Sequence, residues 1–235
     1  MLWMKNWYET RVRLAFLFAV TMAMATWASM GPLSSMTASA ISGKLMEDVF
    51  VVFNVSMFGA IMLAGAGIKT QPGFQATKGI HGSMHYTLSM PVTRTRLLCV
   101  RVALGLAETA GLHLLMCTAF WFFIPVIRFN AIPSDMLKYA VASFFCVAAL
   151  HSMGVLFATF LDDQHQWFAS SFTLIALMIG LHKLSLPSSF DPLLVLTRAS
   201  PLVTHTMPWL GMGLLLIISA ILLLASAKVV ESREY

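Results

Sequence analysis

Six long apolar runs, separated by short polar or helix-breaking stretches, constrain this chain more than any other feature. They fall at residues 14–30, 49–68, 97–126, 139–161, 167–186 and 209–227. A helix needs roughly 20 apolar residues to cross about 30 Å of hydrocarbon, and the runs match that length. The bilayer offers the backbone no water, so such runs are helices and the breaks belong at the interfaces. The breaks read Gly31-Pro32, Gln71-Pro72-Gly73, Ile132-Pro133-Ser134-Asp135, Asp162-Asp163-Gln164, and Pro187-Ser188-Ser189 with Asp191-Pro192. Composition excludes the soluble alternative: 58% of the 235 residues are hydrophobic and 11% charged, whereas a soluble domain carries about 25% charge. The expectation is an all-α polytopic membrane protein, residues 1–235 forming a single transmembrane domain.

Six spans place both termini on one side, and the positive-inside rule says which. With the N-terminus cytoplasmic, that side holds Lys5, Arg11, Arg13, Lys69, Lys78, Arg94, Arg96, Arg101, Lys228 and Arg233; Lys44, Arg128, Lys138, Lys183 and Arg198 fall outside. The expected orientation is N-in and C-in. Ahead of the first run, Trp3, Met4, Trp7, Tyr8 and Val12 share one helical face while Lys5, Glu9 and Arg13 recur four apart on another. That pattern predicts an interfacial elbow helix at about 2–12, with rings at headgroup depth and charges in water, rather than a cleavable signal peptide. The net charge of +5 follows from this loop bias; no dense basic run with interleaved aromatics marks a nucleic-acid surface. Cys99, Cys117 and Cys146 all lie inside apolar runs and form neither a disulfide framework nor a zinc ligand set.

Within the spans the ionisable and amide residues are few, and each is a candidate by its cost. Glu108, two to three turns into the third span, is the principal one. Its partner is either Arg101, two turns earlier on about the same face, or His113 further in; it serves either as a buried structural pair or as a substrate contact. Asn54 in the second span and His151 in the fourth are milder cases, suited to inter-helix hydrogen bonds. Gly65 and Gly67, with Ala60 and Ala64, read as a close helix-packing face; Ile68 directly before Lys69 and Pro72-Gly73 after it exclude a P-loop. His81 and His85 stand four apart, but two ligands without a nearby carboxylate or thiolate make no zinc site. No Gly-x-Ser-x-Gly, His-Glu-x-x-His or paired intramembrane Asp occurs, so no catalytic residue and no metal is expected. The outer segment from Pro187 to Pro208, with Leu193 to Leu196 between polar flanks, predicts a short re-entrant or interfacial helix before the last span.

The loop at 69–96 is the least ordinary part of the cytoplasmic side. Ser83 precedes a stretch, Met84 to Met90, long enough for two helical turns before Pro91 ends them. Met84 and Leu88, flanked by Tyr86 and Met90, give it an apolar side with no lipid to bury it, which calls for a protein partner. Gly82-Ser83-Met84-His85-Tyr86-Thr87-Leu88-Ser89-Met90-Pro91-Val92-Thr93-Arg94 resembles the first cytoplasmic loop of the membrane subunits of type-2 ABC transporters. That family's pattern is close to Gly-Thr-Leu-Glu-x-Leu-Leu-Ser-x-Pro-Val-Ser-Arg. The Leu88 to Arg94 portion and the following Arg96-Leu-Leu-x-x-x-Arg101 match best, whereas His85 stands where many members have Glu. The layout of elbow helix, six spans and no ATPase domain is similar too.

The resemblance implies a permease subunit of a multi-pass exporter in a bacterial-type cytoplasmic membrane. It implies no enzymatic activity in this chain: ATP and Mg bind a separate nucleotide-binding subunit. It also implies a second permease copy or paralogue as partner, and a coupling helix at Gly82 to Pro91 docked in the ATPase. On that reading Gly82 frees the turn, Tyr86 and Leu88 fill the partner's groove, and Pro91 sets the exit toward the third span. The alternatives are an integral membrane enzyme or assembly factor working without ATP, which needs polar residues converging at one depth, and an ion-coupled secondary carrier, for which no internal repeat is found.

Overall fold

The structure is a computed structural model, and it describes residues 2–29, 56–64, 93–161, 163–184 and 201–232. All regular structure among them is helical: α1 (Leu2–Ser29), α2 (56–64), α3 (Arg94–Phe123), α4 (Pro125–Asn130), α5 (Pro133–Phe160), α6 (Asp163–Leu184), α7 (Pro201–Thr204) and α8 (Trp209–Ser232). Three of these, α3 from Thr95, α5 and α8, are long and apolar enough to cross a membrane.

Several boundaries differ from the sequence expectation, each for a local reason. The elbow helix at 2–12 is not a separate element, because α1 runs unbroken from Leu2 to Ser29. Arg13, expected on its aqueous face, turns inward and donates from Nη1 to the Met62 carbonyl at 2.9 Å. The third span, expected to reach residue 126, stops at Phe123 with Ile124 extended at φ −98° and ψ 106°. Pro125 explains this, since it lacks an N–H and pushes the residue before it out of the α region. The next helix begins at Pro133 rather than at 139, because proline is well placed in the first turn, where its missing N–H costs nothing. Thr93 caps α3, its hydroxyl accepting from the Arg96 N–H at 3.3 Å.

Contacts fix the directions of the helices. Thr10 of α1 meets Glu108 of α3, and Leu17 and Leu112 both lie against Gly59, so α1 and α3 run parallel. Helix α2 runs against them, Ser56 bonding His113 while Leu63 approaches Gly105. Helix α5 also opposes α3, pairing Ser143 with His113 and His151 with Gly105. At one end of the bundle Thr95 donates to Glu231 at 2.7 Å; at the other, Asp135 meets Lys138 and His205.

The core lies between α1, α2, α3 and α5, where Leu17, Met116, Phe120 and Tyr139 are fully or almost fully buried. Half of the apolar stretch of α5 is buried against 17% for α8, so α5 is the central helix and α8 a peripheral one. Leu210, Leu214, Ile217, Ile221 and Leu224 of α8 are exposed. In water such a stripe would be an association liability; in hydrocarbon it is the surface lipid covers.

Candidate functional site

Buried polar side chains gather in two layers around α2. The first lies about midway along the 30-residue α3, roughly 20 Å from its start at about 1.5 Å per residue. Here three helices point donors at three successive carbonyls of α2: His151 Nδ1 at Ala60 (3.2 Å), Gln166 Nε2 at Ile61 (3.1 Å) and Arg13 Nη1 at Met62 (2.9 Å). A carbonyl only accepts, so Nδ1 of His151 carries its hydrogen. Two glycines make this approach possible. A Cβ at Gly105 would stand 2.8 Å from His151 Cε1, and one at Gly154 would stand 2.7 Å from the Ala64 Cβ. The expected small-residue face of α2 is therefore present at Ala60 and Ala64; Gly65 and Gly67 lie outside the described residues.

Glu108 sits in the same layer, with 7% of its surface exposed. Its sequence-predicted partners do not reach it: among the described residues neither Arg101 nor His113 pairs with this carboxyl. Thr10 does, placing Oγ1 2.5 Å from Glu108 Oε1. The second carboxyl oxygen, Oε2, is buried with no hydrogen-bond partner, as is the neighbouring Thr109 hydroxyl. Thr10 also lies 3.3 Å from the Trp7 carbonyl, one turn back in α1.

The second layer, further along α3, centres on His113, which is 1% exposed. Ser143 Oγ lies 2.6 Å from the Tyr139 carbonyl and donates to it, so it can only accept from His113 Nε2, 2.9 Å away. The Ala140 carbonyl at 3.2 Å requires the same Nε2–H. His113 Nδ1 then accepts from the Ser56 hydroxyl at 2.7 Å. The two buried histidines thus hold opposite tautomers, each dictated by backbone acceptors.

Of the intramembrane candidates, Glu108 and His151 share the first layer without touching, and His113 belongs to the second. Asn54 lies outside the described residues, as does the whole coupling stretch Gly82, Ser83, Met84, His85, Tyr86, Thr87, Leu88, Ser89, Met90 and Pro91. Sequence reasoning missed Thr10, Arg13 and Gln166. Thr10 and Arg13 stand three apart on a helix, a spacing that shares a face. Gln166 borders the fifth apolar run and reads as loop, yet it is fully buried.

At the far end, Lys138 Nζ bridges Asp135 Oδ1 at 2.8 Å and the His205 carbonyl at 2.9 Å. His205 Nδ1 meets Asp135 Oδ2, and His205 has a positive φ of 58°. This knot ties the segment after α7 to the start of α5. Helix α7 (Pro201–Thr204) falls within the segment 187–208; Leu193 to Leu196, on which the expected re-entrant or interfacial helix rests, lie outside the described residues.

No group of three metal-binding side chains occurs among the described residues. The chain matches no family model, no curated protein and no solved structure.

Proposed function

We propose that this chain is the membrane-spanning permease subunit of an ATP-binding cassette exporter, driven by a separate nucleotide-binding subunit. The observation that carries the reading is the stretch Leu88-Ser89-Met90-Pro91-Val92-Thr93-Arg94, whose Thr93 caps the start of α3. In sequence this stretch leads directly into the long helix α3, which suits it to transmit movement of a docked partner into the bundle. The opposed directions of α1, α2, α3 and α5, with Thr95 and Glu231 joined at one end, support six passes with both termini on the ATPase side. Residues 82–91 then dock in the partner, which binds ATP and Mg, and its closure rocks α3 and the helices packed on it. A second permease copy or paralogue completes the path.

The reading predicts an ABC ATPase that co-purifies with the chain and whose ATP turnover the chain stimulates. Tyr86→Asp or Leu88→Asp would weaken association and stimulation roughly tenfold or more, as loss of a groove-filling side chain does. Unchanged association in both variants would sink the assignment.

A further inference from the structure

Helix α6 turns its polar side inward. Phe168 and Phe172 are exposed, whereas Gln166 and Ser170 on the opposite side are fully buried, and Trp167, three residues before Ser170, borders that buried side. Gln166 Nε2 donates to the Ile61 carbonyl at 3.1 Å and lies 3.4 Å from the place a Cβ would take on Gly154. Trp167 stands edge-on to Phe58, their ring centroids 5.3 Å apart. The buried side of α6 therefore faces the seam it forms with α2 and α5. Three polar atoms of that side, Gln166 Oε1, Trp167 Nε1 and Ser170 Oγ, are sealed without a hydrogen-bond partner. Ser170 also departs from its counterparts elsewhere in the bundle. The buried Thr21, Ser143, Ser152, Thr159 and Ser226 each donate to a carbonyl three or four residues back, a bond open to any serine inside a helix. Ser170 does not make it, so its hydroxyl is aimed away from its own helix.

A polar atom sealed from water without a partner has lost its hydration with nothing in exchange. The indole N–H of Trp167 only donates, the Gln166 oxygen only accepts and the Ser170 hydroxyl does both, so together they match the hydrogen-bonding pattern of water, and none carries a charge to be neutralised. Against this, the bond from Gln166 to Ile61 is the one hydrogen bond to another helix among the described side chains of α6. We propose that α6 is the movable wall of the bundle: it parts from α2 and α5, and water enters the seam to hydrogen-bond Gln166, Trp167 and Ser170. Polar residues turned toward a bundle interior mark water-filled paths in membrane proteins. Opening leaves one hydrogen bond to be replaced and gives three sealed atoms their partners. The seam stands whether or not an ATPase drives the chain.

The test is thiol reactivity on the full chain in lipid nanodiscs, with a water-soluble methanethiosulfonate that reacts only with a hydrated thiolate. Ser170→Cys is introduced in a Cys99→Ala background, where the buried Cys117 and Cys146 serve as internal standards. The expected result is a Ser170→Cys rate roughly tenfold or more above that of either standard; a rate equal to theirs would overturn the proposal. Should the larger thiol disturb the seam, Ser170→Ala decides, since it removes the unpaired hydroxyl and adds nothing. Its thermal unfolding temperature is expected to rise, whereas that of Ser152→Ala, which loses the bond to the Ala148 carbonyl, is not. A Ser170→Ala temperature that fails to rise means that the hydroxyl is bonded within the closed bundle, and overturns the proposal equally.

Discussion

At the scale of single residues, the buried polar groups differ in how many helices depend on them. His113 joins α2 and α5 to α3 through both ring nitrogens, whereas Ser56 contributes one hydroxyl to that junction. Hydrogen bonds between membrane helices are worth about 0.6 kcal/mol on average, because the unfolded chain in the bilayer finds other partners. Ser56→Ala is therefore expected to cost about 0.6 kcal/mol. His113→Ala removes a fully packed ring as well as its bonds and is expected to cost roughly 2 kcal/mol or more. Chemical unfolding in mixed micelles measures both, and equal costs would show that the second layer is held by packing alone with His113 incidental. Neither Thr10 nor Arg13 is marked as intramembrane by its residue type. Their position in an amphipathic segment with aromatic residues points to the interface, and it is the unbroken course of α1 that brings Thr10 to Glu108 and Arg13 to the Met62 carbonyl.

At the scale of elements, close approach is paid for in side-chain volume. Gly154 lets α5 lie against Ala64 of α2, and Gly105 makes room for the His151 ring. Gly111 has nothing within 4 Å of where its Cβ would be. Gly154→Ala and Gly105→Ala are expected to destabilise the bundle by about 1–3 kcal/mol through overpacking. Gly111→Ala, at an open helical position, is expected to be neutral or to stabilise by up to about 1 kcal/mol. Thermal unfolding in detergent ranks the three, and a Gly111→Ala cost equal to that of Gly154→Ala would contradict the described packing. The element scale is also where the sequence was most legible. The apolar runs at 97–126, 139–161 and 209–227 correspond to α3, α5 and α8, because hydrophobic length is read directly from residue type. Their ends were less legible, because prolines act oppositely by position: Pro125 ends α3, whereas Pro133 opens α5. The candidate site was legible in part. The cost of Glu108, His113 and His151 in an apolar run is visible in one dimension, but which carbonyl or hydroxyl each meets depends on helix rotation, which the runs do not encode.

At the scale of the whole molecule, the described contacts define two ends. Thr95 and Glu231 meet at one; Asp135, Lys138 and His205 meet at the other. Helices α3, α5 and α8 connect these ends, and their length and hydropathy suit a bilayer crossing; the expectation is that the two ends lie on opposite faces of the membrane. The first end carries Lys5, Arg11, Arg94, Arg96 and Lys228, the second Arg128, Lys138 and Lys183; the expected cytoplasmic side of the first end rests on this bias together with Lys69, Lys78 and Arg233 of the whole sequence. Thiol labelling separates the two statements. In a Cys99→Ala background, with Cys117 and Cys146 buried, Arg96→Cys and Ser232→Cys are expected to react with a membrane-impermeant maleimide from one face and Thr206→Cys from the other, all three positions being exposed. Inverted vesicles should label the first pair and right-side-out vesicles the third. A pattern reversed between the vesicle types would keep the bundle and overturn the N-in orientation, and with it the docking of residues 82–91 on a cytoplasmic ATPase. Labelling of all three from one face would overturn the crossing itself.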